Sequence, residues 1–177
     1  MASLRKVNFV NACVQNLDLL SVPVIEAASQ SFKRGDLLTL SSGKVQAAIA
    51  ANSSEGSGYA PTTGIAYIAL EDATGTTNTK LLAALIRPDM IFKLPVLHST
   101  PASAITAYAQ VGTAYGIWHY SDGGSPAFTT WGLAYEDTTH TVGRVVSIYA
   151  NDPLNPVGEQ YGYVGFQFDP DSLAFFA

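Results

Sequence analysis

From Phe32 onward no apolar pattern runs far before a Gly-, Pro- or Ser/Thr-rich break interrupts it. Asp36 to Leu40 reads as a strand, Ser41-Ser42-Gly43 as a tight turn with Gly at a positive-φ position, and Lys44 to Ala48 as the returning strand. Gly64 to Leu70 reads as a buried strand, and Thr74-Gly75-Thr76-Thr77-Asn78 as another turn. Leu81 to Ile86 and Met90 to Leu97 are two strands separated by the Pro-containing turn Arg87-Pro88-Asp89. Tyr115 to Tyr120, Trp131 to Tyr135, Arg144 to Tyr149 and Tyr161 to Phe168 follow, with a turn at Ser121-Asp122-Gly123-Gly124. In the last run Val164, Phe166 and Phe168 alternate with Tyr163, Gly165 and Gln167, the period of a half-buried strand. About nine short strands with turns between them predict a mainly β chain folded as a sandwich or a single barrel-like domain.

Two segments depart from this pattern. Thr100 can cap a helix that has Pro101 at its first position and Gly112 closing it. Ile105, Tyr108, Ala109 and Gly112 then form one apolar stripe, so one short helix is expected there. Residues 1–31 have no clear period, and Pro23 blocks a helix. Phe9, Val10, Leu17, Leu19, Leu20, Val22 and Val24 are scattered among amides. This stretch reads as an extended N-terminal arm and first edge segment, either the domain's own first strand or a segment that lies on a partner. Residues 32–177 form the β domain.

Charge narrows the partners. Charged residues make up 13% of the chain, about half the ~25% usual in soluble domains, so much of the surface is neutral. Such a surface suits a protein covered by neighbours better than a freely diffusing enzyme. Net charge is −5, which disfavours nucleic acid as a partner. The balance is uneven: up to Val45 five basic residues (Arg5, Lys6, Lys33, Arg34, Lys44) face three acidic ones (Asp18, Glu26, Asp36), leaving −7 for the rest. A mildly basic N-terminal quarter suits an acidic protein surface. The single cysteine, Cys13, excludes an internal disulfide and a thiolate metal cluster. Asn8, Asn11, Gln15, Asn16 and Asp18 interrupt any apolar signal-peptide core, and no stretch of about 18 apolar residues exists to span a membrane. The expectation is a protein made and used without secretion or membrane insertion.

Motifs for chemistry are weak. His98, His119 and His140 lack metal-ligand spacing and read as ordinary strand or turn residues. Glu71-Asp72 and Glu136-Asp137 offer the paired carboxylates of a glycosidase, but each pair follows a strand and reads as turn carboxylates. They belong to a faint echo: Thr63-Gly64-Ile65-Ala66-Tyr67 resembles Trp131-Gly132-Leu133-Ala134-Tyr135. No Gly-x-Ser-x-Gly elbow is present, Gly56-Ser57-Gly58 is not a dinucleotide site, and the Asp152-Pro153-Leu154-Asn155 stretch breaks the calcium-loop pattern. Arg34-Gly35-Asp36 spells an adhesion tripeptide but sits where a strand begins, and the sequon Asn52-Ser53-Ser54 has no use without secretion. Neither an enzyme, a cofactor nor a metal is expected.

The segment Ser29 to Val45, with Phe32-Lys33-Arg34-Gly35-Asp36-Leu37-Leu38 and Gly43-Lys44-Val45, is followed by Thr63-Gly64-Ile65-Ala66 and by Ile86 to Val96. Together with His98 to Ile117, this resembles the head decoration (capsid cement) proteins of tailed bacteriophages. The resemblance covers residues 32–117 best, and 118–177 stand as a Tyr/Gly-rich β extension. It implies a β-barrel or β-tulip-like domain on the outer surface of the virion's capsid, commonly a homotrimer, binding major capsid protein through an N-terminal arm. The arm residues Phe9, Val10, Leu17, Leu19 and Leu20 would then meet the capsid. Trp118, Tyr120, Trp131, Tyr161 and Tyr163 would pack between subunits. The rival is a carbohydrate-binding β-module, whose exposed Trp and Tyr rings would stack on sugars.

Overall fold

The chain is mainly β, as the sequence leads one to expect, and its strands fall into two sheets. A computed structural model describes residues 4–15, 20–48, 58–121, 129–149 and 157–176. Among them lie α1 (Phe9–Ala12), β1 (Cys13–Gln15), β2 (Ser21–Ile25), β3 (Leu37–Ser41), β4 (Lys44–Ala47), β5 (Gly58–Tyr59) and β6 (Ile65–Ala69). Next come β7 (Lys80–Leu85), β8 (Ile91–Leu97), β9 (Ala114–Ser121), β10 (Thr129–Ala134), β11 (Gly143–Tyr149) and β12 (Tyr163–Phe168). Leu17, Leu19, residues 52–57, most of the turn after Ser121, Phe128 and the 152–155 stretch lie outside the described residues.

The smaller sheet runs β2-β7-β6-β3-β4, antiparallel throughout. Its β3–β4 hairpin closes at Ser42 and Gly43, both at positive φ (50° and 77°), the geometry whose twist matches the flanking strands. Pro23 is tolerated because β2 is an edge strand. The two edges meet at a single parallel bridge between Glu26 and Val45, where Ala27 N donates to Val45 O at 3.0 Å. The larger sheet runs β1-β8-β10-β9-β11-β12, with β5 added on β9 and β12 returning to pair with β8. Its β8–β10 ladder is parallel and the others are antiparallel.

Side-chain alternation on β3, β6 and β7 divides the interior into two cores. Leu37, Ile65, Ile68 and Ala84 point one way, joining Phe92, Leu94, Ile117, Leu133, Val164, Phe166 and Phe168 from the larger sheet. Their sequence neighbours Leu38, Ala69 and Ala83 point the other way, joining Val24, Phe32, Val45 and Leu81. The alternation read in the last strand holds, since Val164, Phe166 and Phe168 are all buried.

The N-terminal segment belongs to this interior. Asn8 and Asn11 cap α1 reciprocally: Asn8 N donates to Asn11 Oδ1 (3.0 Å) and Asn11 N to Asn8 Oδ1 (3.1 Å). The cap turns Phe9, with 0% of its surface exposed, into contact with Phe92, Trp131 and Phe168. Among the described residues, 4–15 are thus not a free arm; Val7, Phe9, Ala12 and Cys13 are core.

The expected helix at 100–112 is absent. Its start is right in kind, since Pro101–Ser103 forms a 3-10 turn behind Thr100, and a second such turn spans Tyr108–Gln110. Between them the buried Gln110 side chain takes the backbone bonds a helix would have made: Nε2 donates to Ile105 O (2.9 Å) and Oε1 accepts from Ala107 N (3.0 Å). Val111 is bridged to Val145 and Ile105 to Gln160, so the segment is extended at both points.

Candidate interaction surface

The residue types that suggested chemistry are occupied with local structure. After β6, Glu71 Oε2 accepts from Leu82 N (2.8 Å), and Asp72 accepts from Arg34 N (2.8 Å) and Lys33 Nζ (3.2 Å). Those contacts, the Arg34 N–H first among them, hold the Asp72 carboxyl below its ordinary pKa. After β10, Glu136 accepts from Ser99 N (3.0 Å) and Ser99 Oγ (2.6 Å), and Asp137 accepts from Thr139 N and His140 N. In each half of the sequence echo one trailing carboxylate clamps a neighbouring loop, Asp72 at Arg34 and Glu136 at Ser99, while Glu71 bonds β7 and Asp137 its own turn. Arg34-Gly35-Asp36 is also structural: Gly35 is buried at φ 94°, and Asp36 accepts from Trp131 Nε1 (2.9 Å) and Lys33 N (2.8 Å). His119 packs against Trp131, with ring centroids 4.7 Å apart, while His98 Nδ1 accepts from Thr100 N. Among the described residues no group of three or more His, Cys, Asp or Glu is placed to hold a metal ion.

The five aromatic residues expected between subunits separate into three environments. Trp131 is 1% exposed and sits in the first core, so it is not available to a neighbouring subunit. Tyr163 stands beside Tyr149, its partner across the β11–β12 ladder, and Lys93 Nζ lies 4.9 Å from one ring centroid and 5.3 Å from the other. Trp118, Tyr120 and Tyr161 come together. With Leu4, His98, Ser99 and Pro101 they line a small cavity of about 80 Å³. Trp118 and Tyr120, two apart on β9, stand at 85° to each other with centroids 5.5 Å apart. Tyr59 stacks beside Trp118 and on His140. Its burial, and then the Asp137 and Glu136 carboxylates, raise the Tyr59 phenol above its ordinary pKa.

Of the residues expected to meet a capsid, Phe9 is withdrawn into the core, Val10 packs partly against it, and Leu17 and Leu19 lie outside the described residues. Leu20 is 54% exposed. Leu85 N donates to Leu20 O (3.1 Å), continuing the β2–β7 register, and Leu85 pairs with Tyr67 on β6. Residues facing one another across antiparallel strands share a face, so Leu20, Leu85 and Tyr67 form an apolar row at one end of the smaller sheet. The C-terminal segment extends it. Ala174 N donates to Ile65 O (2.8 Å), and Phe175, 50% exposed, packs edge-on to Tyr67 at 5.6 Å. The sequence signal for Leu20 is its apolar character outside any period, and Phe175 and Phe176 carry the same signal without being expected at a contact surface.

A second depression, of about 230 Å³, lies where the N-terminal segment crosses between elements of the two sheets. Lys6 and Asn8 line it from that segment, Lys33 and Arg34 from the loop before β3, and Thr129 and His119 from β10 and β9. Comparison of the chain with protein-family models, with curated proteins and with solved structures finds no significant match.

Proposed function

We propose that this protein is a structural, non-enzymatic virion component: a decoration (cement) protein that binds the outer surface of an expanded tailed-phage head as a homotrimer and bridges major capsid protein subunits. The observation that carries the reading is the apolar row at one end of the smaller sheet, in which Leu20 and Phe175 are exposed at the two ends and Leu85 and Tyr67 are half-buried between them. Large exposed side chains gathered in this way are what a partner's surface covers. Cementing multiplies modest contacts by symmetry, so one such row per subunit suffices when many copies engage at once. The resemblance of residues 32–117 to decoration proteins points the same way. Under this reading each sheet is barrel-like: pairing in the larger returns from β12 to β8, and the edges of the smaller meet at Glu26 and Val45.

The test is co-sedimentation with expanded capsids of the source virus, with bound copies counted. Saturation at a fixed symmetric ratio to capsid protein, with greater resistance of the shell to heat, is the expected outcome. Leu20→Ser with Phe175→Ser should weaken binding by about thirtyfold, as for removal of interface anchors. Absence of saturable binding by the unsubstituted protein refutes the reading.

A second reading, a carbohydrate-binding β-module, draws on the perpendicular Trp118 and Tyr120 rings beside Tyr161. A glycan that saturates a change in tryptophan fluorescence, lost in Trp118→Ala, would favour it over cementing.

A further inference from the structure

Four of the chain's nine basic residues, Arg5, Lys6, Lys33 and Arg34, fall in two short segments that the fold brings side by side. Two carboxylates also lie there, but both are engaged with the backbone. Asp36 accepts from Lys33 N and Trp131 Nε1, and Asp72 accepts from Arg34 N as well as from Lys33 Nζ. Their bonds fix the loop that carries the cations; Asp72 also faces Lys33 and Lys6, so the three cations lining the cleft outnumber the two carboxylates by one. Neither the Lys6 ammonium nor the Arg34 guanidinium has a hydrogen bond or ion pair of its own among the described residues. The result is a positively charged depression on a molecule whose net charge is −5.

We infer that this cleft is a docking site for an acidic segment of a protein partner, with Arg34 and Lys6 receiving Asp or Glu carboxylates. Charge complementarity selects the ligand's sign, since cations gathered along a cleft wall favour a carboxylate that reaches them with charge-assisted hydrogen bonds. Size selects its extent. A volume of about 230 Å³ equals that of on the order of seven or eight waters, enough for one or two side chains and not for a folded domain. Nucleic acid fits poorly, because a polyanion with a charge every ~1.7 Å would carry most of its length over a surface of its own sign. The inference does not rest on the capsid reading, because an acidic segment of any protein meets the same chemistry.

The experiment is a two-dimensional amide NMR titration of the full chain with blocked hexaglutamate, using blocked hexaglutamine and, at matched ionic strength, inorganic phosphate as comparisons. Saturable shifts confined to Lys6–Asn8, Ser31–Arg34 and Thr129–Trp131, with hexaglutamine silent and phosphate weaker, are expected. Lys6→Gln with Arg34→Gln should weaken hexaglutamate binding about tenfold or more, whereas Lys80→Gln, an exposed cation elsewhere, should not. Both substituted side chains are exposed and, among the described residues, make no hydrogen bond or ion pair, so the variant should fold. Shifts that spread over every cation alike, persist in the double variant, or appear equally with phosphate would overturn the proposal. Cleft resonances that move with protein concentration alone would also overturn it, in favour of a second copy of the chain as occupant.

Discussion

Glu26 is wholly buried, yet its carboxylate is fully engaged: Thr74 N (3.2 Å), Thr74 Oγ1 (2.6 Å) and Gly75 N (2.7 Å) all donate to it. One side chain thus fixes the turn before β7 and, through its own backbone, the bridge to Val45. Glu26→Gln places an amide NH₂ against donors and should lower unfolding free energy by about 1–3 kcal/mol, seen as a lower urea midpoint at unchanged m-value. Gly35 is constrained differently. It holds φ 94°, its carbonyl accepts from Phe9 N, and a Cβ there would lie 2.4 Å from Asn8 side-chain atoms. Gly35→Ala should therefore cost about 2–4 kcal/mol from left-handed strain and overpacking, measurable in the same titration. The need for glycine at 35 could be read from a turn that opens a strand. The role of Glu26 could not, because its partners lie 48 residues away and a glutamate after Val-Pro-Val-Ile looks like a solvated strand end.

At the scale of elements, α1 is too short to hold itself together and depends on what Phe9 touches. Its ring meets Phe92, Trp131 and Phe168 at 5.2, 5.6 and 5.9 Å. Phe9→Ala should destabilise the protein by about 3–5 kcal/mol, with a change in native tryptophan emission because Trp131 loses a neighbour. The consequence for any binding assay is direct: removing the N-terminal residues would unfold the core as well as remove a contact, so Leu20 is the residue to substitute. Which elements the sequence made legible follows from where their determinants lie. The β3–β4 hairpin is written locally, in Ser42-Gly43 between alternating runs. The strands from β6 to β12 are written in apolar runs bounded by turn residues. The 100–112 segment misled because the stripe at Ile105, Tyr108, Ala109 and Gly112 is compatible with a helix, whereas bridges to Val145 and Gln160 and the Gln110 amide decide against it. Likewise Asn8 and Asn11 show a capping pair only once the chain is known to turn there. The meeting of Trp118 with Tyr161, and the placing of Leu20 and Phe175 at the two ends of one row, are not legible at all, being set by pairings between distant strands.

For the whole molecule, the decisive feature is that β3, β6 and β7 serve both cores, one on each face. Neither core can be opened without removing a wall from the other, so heat unfolding should be one cooperative transition, with calorimetric and van't Hoff enthalpies equal. Ala83→Gly in the second core and Leu133→Ala in the first should each shift the whole transition, and a variant that split it in two would show the cores to be independent. Alkali probes the same wholeness from another side. Burial raises the phenols of Tyr59, Tyr67 and Tyr115 above 10.0, aided at Tyr59 by Asp137 and Glu136 and at Tyr115 by Tyr135. A group whose folded pKa is raised contributes stability that is complete below its unfolded pKa and is lost as pH rises through the folded one. Stability should therefore hold up to about pH 10 and fall above it, and the fall should be smaller in Tyr67→Phe, which has no phenol to ionise. Because Tyr67 lines the second core and Tyr115 the first, a cooperative molecule must show the part of its tyrosinate absorbance that Tyr67→Phe and Tyr115→Phe remove rising together with its loss of β-sheet ellipticity. Ionisation of Tyr67 well before the sheet signal changes would mean that the Leu20–Phe175 end opens by itself, and the apolar row would then be a local, mobile feature instead of a fixed contact surface.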